Sequence, residues 1–273
     1  MCELLAMSCR HPARLTSSLT ALAARAGGDS RNRDGWGLAF YQEHDVALYR
    51  DTTPADTGPL VPWLEANGPE TTLSLGYIRH ATQGTINLAN TGPFSRELNG
   101  RIHVFTHNGN LKPLAHSSLV GNDFFQPVGE TDSELAFCLL LDRIRQLPNV
   151  RGQLPSLQAR LDTVAEMALA LRALGPASFL YADGDVLFVH ADRRLQPLTG
   201  QVTAPALFCL ECPVGDKAVL VRDSESEEAV TAQHVVLLAS VPLTREADEA
   251  WTPMQEGEVL VVRQGEVVAS VLL

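Results

Sequence analysis

The chain opens Met1-Cys2-Glu3-Leu4-Leu5-Ala6-Met7-Ser8, a potential nucleophile followed at once by an apolar, strand-like run. Initiator methionine is ordinarily removed when the next residue is small, and cysteine qualifies. Removal would give Cys2 both a thiol and a free α-amine, with ordinary pKa values of about 8.5 and ~7.7–8.0. Such an amine can serve as base for its own thiol near neutral pH, with no histidine between them. The same residues also fit a cysteine that merely begins a buried first strand, and a retained Met1 would leave no free amine.

Working outward, strands are predicted over residues 3–8, 36–41, 46–50, 72–78 and 102–106, and a helix over 16–26 stopped by Gly27-Gly28. Residues 54–69 read as a loop holding a short helix, and 80–99 as long and irregular. The clearest helices are 133–146 and 157–174, which carry apolar residues at helical spacing. From there on the pattern is β, with strands over 177–182, 186–190, 206–210, 235–240, 259–263 and 267–272. Turn signals at Asp183-Gly184-Asp185 and Gln264-Gly265 support hairpins. Strands, then two helices, then strands suggest two sheets packed together with helices outside, in one domain over residues 1–273.

Composition narrows the class of function. Of 273 residues, 45% are hydrophobic and 19% charged, enough apolar material for a substantial core. The net charge of -11 disfavours nucleic acid and anionic membranes, both of which are met by basic residues. No apolar run approaches the ~20 residues of a membrane span. The first residues lack a basic n-region and include Glu3, so the chain reads as cytoplasmic rather than secreted. Five cysteines, an odd count, do not suggest a disulfide framework.

Three further motifs can carry chemistry. His107-Asn108-Gly109 follows a strand directly; an Asn amide and a Gly N–H can stabilise an oxyanion, although Asn-Gly is also an ordinary turn. In Gly76-Tyr77-Ile78-Arg79-His80-Ala81-Thr82, Arg79 ends an apolar strand, where a guanidinium can hold a carboxylate or form a structural ion pair. Gly129-Glu130-Thr131-Asp132-Ser133-Glu134 opens a helix, and Asp132 is either its N-cap or a partner for an ammonium. An Arg for a carboxylate and an Asp for an ammonium together describe an amino-acid pocket.

Cys209-Leu210-Glu211-Cys212 lacks the second pair that a zinc site needs. His103 and His107 would stand ~13 Å apart on a strand, too far to share a metal. Neither a metal nor a cofactor is expected, and the charge run over 223–228 reads as a solvated loop.

In order and spacing, the Met-Cys start, Arg-His-Ala-Thr, His-Asn-Gly and Glu-Thr-Asp-Ser-Glu resemble the class II glutamine amidotransferases, enzymes with an N-terminal nucleophile. The chain looks most similar to their stand-alone, YafJ-like branch through MCELLAMS, Asp34-Gly35-Trp36-Gly37, Asn90-Thr91-Gly92-Pro93-Phe94 and residues 127–134. The resemblance is good over 2–140 and weaker onward to Ser240-Val241-Pro242-Leu243-Thr244 and 251–262. It implies an α+β, four-layer αββα sandwich of the N-terminal-nucleophile hydrolase type. It also implies attack by Cys2 on the glutamine side-chain amide, giving a glutamyl thioester and ammonia, then glutamate. By the same resemblance, Asn108 and Gly109 match the oxyanion hole, Arg79 the α-carboxylate site and Asp132 the α-ammonium site. Thr82 lines the pocket with His80 nearby, and Arg33 and Gly35 match a loop near the nucleophile's amine. One departure stands out: many relatives carry the His of Asn-x-His-Pro, which helps shape the substrate lid, where this chain has Gly92. Implied partners are glutamine or a γ-glutamyl small molecule, and a separate synthase subunit that accepts the ammonia. Two alternatives remain open, hydrolysis of a larger γ-glutamyl compound and a catalytically silent binding or regulatory subunit.

Overall fold

The computed structural model describes residues 2–15, 17–27, 32–121, 123–150, 153–196, 199–212, 221–223, 233–243 and 251–273. The opening strand sets its layering. Side chains alternate across a strand, and β1 (Glu3–Leu15) places Leu5 and Met7 on one face and Leu4 and Ala6 on the other. Both faces are apolar, so both must be covered.

β1 lies inside an antiparallel sheet with β2 (Trp36–Gln42), β3 (Asp45–Asp51) and β4 (Thr71–Ile78). Its other side pairs with β13 (Val235–Ala239) and, further along, β12 (Val221–Asp223). β11 (Phe208–Cys212) and β14 (Thr252–Pro253) complete the order β14-β11-β13-β1-β4-β2-β3. The second sheet runs β16-β15-β8-β7-β6-β5, where β5 is Phe94–Leu98, β6 Arg101–Gly109, β7 Ala177–Ala182, β8 Leu187–His190, β15 Glu258–Arg263 and β16 Glu266–Leu272. A small ribbon, β9 (Arg194–Leu195) with β10 (Val202–Thr203), stands apart.

Three apolar layers hold four structural ones. Leu4, Ala6, Leu75, Tyr77, Val104, Leu180 and Leu238 fill the space between the sheets. Leu5, Met7, Leu19, Leu22, Leu38 and Leu64 pack α1 (Ser17–Ala23) and α2 (Leu60–Asn67) on the first sheet. Phe105, Phe137, Leu140, Met167 and Phe179 pack α3 (Asp132–Arg145) and α4 (Leu157–Arg172) on the second. This is the αββα sandwich that the resemblance implies. Both long helices start on a side-chain cap, with Thr131 Oγ1 accepting from Glu134 N at 3.2 Å and Ser156 Oγ from Ala159 N at 3.2 Å. In α3, acids fill the first turn and arginines the last, as the helix dipole favours.

Several expected boundaries move. β1 runs to Leu15 rather than ending at residue 8, with a register shift between Ser8 and Ala13. The helix over 16–26 ends at Ala23 and closes as a 3₁₀ turn, Ala24–Ala26; Gly28 lies outside the described residues. The region 80–99 contains β5, an edge strand with only one neighbour, whose Ser95, Arg96 and Glu97 mask any alternation. The strand over 102–106 continues through His107-Asn108-Gly109, because Phe179, Ser178 and Ala177 of β7 lie opposite those residues. Met1, Thr244 and the charge run after Asp223 lie outside the described residues.

Candidate active site

Cys2 stands just before β1, whose pairing of Glu3 with Ile78 brings it against the end of β4. Its Sγ is 3.0 Å from the Tyr77 hydroxyl and receives the His80 N–H at 3.3 Å. The thiol can itself donate to His80 O at 3.6 Å. Burial pushes the thiol up, and the His80 N–H and the Tyr77 hydroxyl pull it back. The phenol of Tyr77 is pushed well above its usual range by burial and then by Cys2.

Cys2 shares one cavity with Tyr77, Arg79, His80, Thr82 and Gln83 from the first sheet's side, and with His107, Gly109 and Asp132 from the second's. Its empty volume is about 290 Å³, counted with the open mouth.

Alternation on β6 turns Val104 and Asn108 toward the space between the sheets, where Cys2 also packs. The Asn108 side chain is fully buried, and both Oδ1 and Nδ2 lack a partner among the described residues. Such a carboxamide costs about 1–3 kcal/mol unless something else bonds it. Asn110 N–H donates to Pro176 O at 3.1 Å, so Gly109, opposite Ala177, falls at a non-hydrogen-bonded pair and its N–H turns away from β7. Among the described residues no strand pairs with it on that side, since β5 pairs with β6 only as far as Phe105. A Cβ at Gly109 would come within 1.9 Å of Pro176 O and 2.3 Å of His107 Nε2, so only glycine fits. His107, bonded to Ser133 Oγ at 2.9 Å, is held neutral by burial.

Arg79 is 2% exposed, and its guanidinium donates to the carbonyls of Gln83 (3.0 Å), Gly84 (3.4 Å) and Thr85 (3.1 Å). These acceptors are neutral, and no carboxylate among the described residues forms an ion pair with Arg79. The loop of residues 83–85 is thereby tied to the guanidinium, and its Gln83 lines the cavity. The N-cap alternative for Asp132 is corrected, since Thr131 is the cap. Asp132 instead receives Leu111 N at 2.6 Å and Gln83 Nε2 at 2.8 Å on Oδ2, and Ser133 N at 2.9 Å on Oδ1.

The other expected residues are placed less uniformly. Thr82 is exposed at the cavity's mouth. His80 lines the cavity, with its ring 3.7 Å from the Asp34 carboxylate, which also receives Ala81 N at 2.7 Å. Gly35 is tied to the site through its carbonyl, which accepts Arg79 N at 2.8 Å. Arg33 points elsewhere, to Ala26 O at 2.7 Å and Asp56 at 3.6 Å. Cys209 and Cys212 fall on opposite faces of β11, one toward the inter-sheet core and the other toward the helices, so they cannot act as a pair.

Sequence reasoning missed Tyr77, Gln83 and the anchor of the first strand. Tyr77 sits in an apolar strand, where an aromatic residue reads as core, and nothing local marks Gln83. The anchor is Glu3, whose carboxylate receives Arg194 Nη1 at 3.1 Å and Nη2 at 2.9 Å; the pair is separated by 191 residues and has no local signal.

A family model described as glutamine amidotransferases class-II matches residues 1–272. The chain is 33% identical over 273 residues to the Escherichia coli K12 protein named "Putative glutamine amidotransferase YafJ", covering 98% of this chain and 100% of that one. A crystal structure of a predicted glutamine amidotransferase from Pseudomonas aeruginosa superposes with a TM-score of 0.66 at 28% identity, covering 98% of this chain and 99% of that chain. The glutamine phosphoribosylpyrophosphate amidotransferase of B. subtilis superposes with a TM-score of 0.62 at 16% identity, over 99% of this chain and 49% of that one, a likeness of fold.

Proposed function

The chain belongs to the class-II glutamine amidotransferases, and from that membership we propose that it hydrolyses the side-chain amide of glutamine with Cys2 as nucleophile. The observation that carries the reading is the convergence of Cys2, Arg79, Gly109 and Asp132 on one cavity. With Met1 removed, the α-amine of Cys2 takes the thiol proton and the thiolate attacks the amide carbon. Asn108 Nδ2–H and the Gly109 N–H donate to the oxyanion, a role supported by the buried, unpartnered carboxamide and the outward-turned N–H. The amine returns its proton to the leaving nitrogen, ammonia departs, and a thioester remains. Water then attacks that carbon, glutamate leaves, and the thiol is restored. Arg79 holds the substrate α-carboxylate and Asp132 its α-ammonium, with Gln83 giving way. The buried guanidinium, bonded only to neutral carbonyls, supports the first role.

In this reading residues 1–273 act as one amidotransferase domain, and the ammonia passes to water or to a separate synthase subunit. The odd count of five cysteines supports a reducing, cytoplasmic setting.

The test is intact-protein mass before and after incubation with an electrophilic glutamine analogue. The expected result is a mass lacking Met1 and one adduct mapped to Cys2. A retained Met1, or no adduct, overturns the reading.

A further inference from the structure

Tyr77 brings to the nucleophile a polar group that the scheme above does not use. Its hydroxyl stands 3.0 Å from Cys2 Sγ, and its ring is buried between the sheets. Gly92 lies flat against that ring. A Cβ at position 92 would stand 3.2 Å from Tyr77 Cδ1, closer than ordinary packing, and 3.4 Å from Cε1. Nor can the segment easily back away, because Gly92 O already lies 2.5 Å from where a Cβ at Gly37 would be. A histidine at position 92, as in the Asn-x-His-Pro of many relatives, would have to extend from a Cβ already crowding the phenol ring.

We propose that Tyr77 is a catalytic residue of this site: its phenol O–H donates to the Cys2 sulfur and holds it as the thiolate, and Gly92 makes room for it. The proposal rests on the reading of Cys2 as nucleophile. In the resting thiol the S–H donates to His80 O while Tyr77 O–H and His80 N–H both point at Sγ. When the thiol proton moves to the α-amine, those two donors remain on the sulfur anion. They are charge-assisted there and stronger for it. As sulfur bonds to the amide carbon its charge is lost and the Tyr77 bond weakens. As water releases the acyl group the charge returns and the bond re-forms on the leaving thiolate. Tyr77 keeps its own proton throughout, so the travelling proton is shared only by the Cys2 sulfur, its amine and the departing nitrogen.

Among the described residues, the charged groups around this contact are Arg79, which continues β4, and Asp132, at the start of α3. The His80 ring turns to Asp34. Arg79 favours the thiolate, while at Tyr77 burial and the Cys2 sulfur, with a smaller push from Asp132, outweigh Arg79 and keep the phenol a donor.

The test compares wild type with Tyr77→Phe, which keeps the ring and removes only the hydroxyl. The rate of Cys2 alkylation by iodoacetamide is followed against pH and mapped by peptide mass. Loss of one hydrogen bond to a charged group should slow alkylation at pH 7 roughly tenfold and raise the apparent thiol pKa by about one unit, with an unchanged melting profile. Gly92→His should produce the same shift by displacing the ring, and adding Tyr77→Phe to it should change nothing more. A pH profile for Tyr77→Phe that overlies wild type overturns the inference. Alkylation needs no glutamine, so a wild type that hydrolyses none while Tyr77→Phe still shifts the profile would sink the substrate reading and leave the Tyr77–Cys2 contact standing.

Discussion

Glu3 and Arg194 offer the sharpest test of how the nucleophile is held. Glu3 is 5% exposed and Arg194 2%, and the two form a bidentate pair. Arg194 Nη1 also donates to Ser240 O at 2.8 Å, while Leu4 N donates to Ser240 Oγ at 2.9 Å. The pair therefore locks the first residues of β1 to the end of β13 and to β9. Glu3→Ala leaves a buried guanidinium with Ser240 O as its one remaining acceptor among the described residues, the situation that costs about 3–5 kcal/mol in measured cases. Against a total stability of ~5–15 kcal/mol, this is a large share, with a fall in Tm on the order of 10 °C. Arg194→Met should cost a comparable amount by leaving the buried carboxylate with a single long bond, from Asn32 Nδ2 at 3.4 Å, among the described residues. The Glu3→Met/Arg194→Met double variant should recover most of the loss, since replacing both charges with apolar side chains is often near neutral. Urea unfolding at constant m-value measures all three. A Glu3→Ala loss below about 1 kcal/mol, or strictly additive single variants, would refute the reasoning, because either outcome means that water already reaches the pair. Since Cys2 is bonded to Glu3, both single variants should also slow alkylation of the thiol.

Asn108→Leu should abolish most turnover, with kcat down ~10²–10³-fold, yet raise stability by about 1–2 kcal/mol because a buried, unpaired amide is gone; a less stable protein in a urea melt would count against the unpaired state. Arg79→Lys should raise KM more than tenfold, because a point charge cannot hold both a carboxylate and the 83–85 carbonyls as a planar fork does, and an unchanged KM would remove Arg79 from that role. Gln83→Ala should lower KM about 2–10-fold with kcat unchanged, the size of one net hydrogen bond, because Gln83 Nε2 now occupies Asp132; a raised KM would instead make Gln83 a substrate ligand. His190 is fully buried and its imidazole is pushed down to about 4 by burial, against ~6.5 when unfolded. Between those values the unfolded chain binds the extra proton, so stability is full above ~6.5 and declines as pH falls toward 4, by roughly 3 kcal/mol; in His190→Gln the urea midpoint should vary less over that range.

Two packed sheets with helices outside were legible in the order of strands, two helices and strands, and the four-layer αββα form in the family resemblance; the structure adds the physical reason, since β1 is apolar on both faces. What escaped was structure imposed from a distance. Asn108-Gly109 reads locally as a turn, and it extends only because β7 lies opposite. β5 is an edge strand of mostly polar residues, where pairing with β6 overrides a sequence that alternates poorly. Asp132 could not be separated from an N-cap until Thr131 was seen capping. Glu3 weighed only against a secretory leader, because its partner lies on β9.

The site residues split in the same way, between those marked by residue type and those marked only by contact. Cys2, Arg79, Asn108, Gly109 and Asp132 each carry chemistry that a core position would not need. Tyr77 does not, since a phenol at the end of an apolar strand fits a core as well as a site. Gly92 was visible as a departure from the family pattern at a position that helps shape the substrate lid, but not as a neighbour of Tyr77. Position 92 lies in the segment between β4 and β5, and position 77 near the end of β4. The contact becomes intelligible only once the Tyr77 ring is placed against Gly92 and its hydroxyl on the sulfur. A glycine that would look like a loss in the lid is then the space that lets a second donor reach the nucleophile.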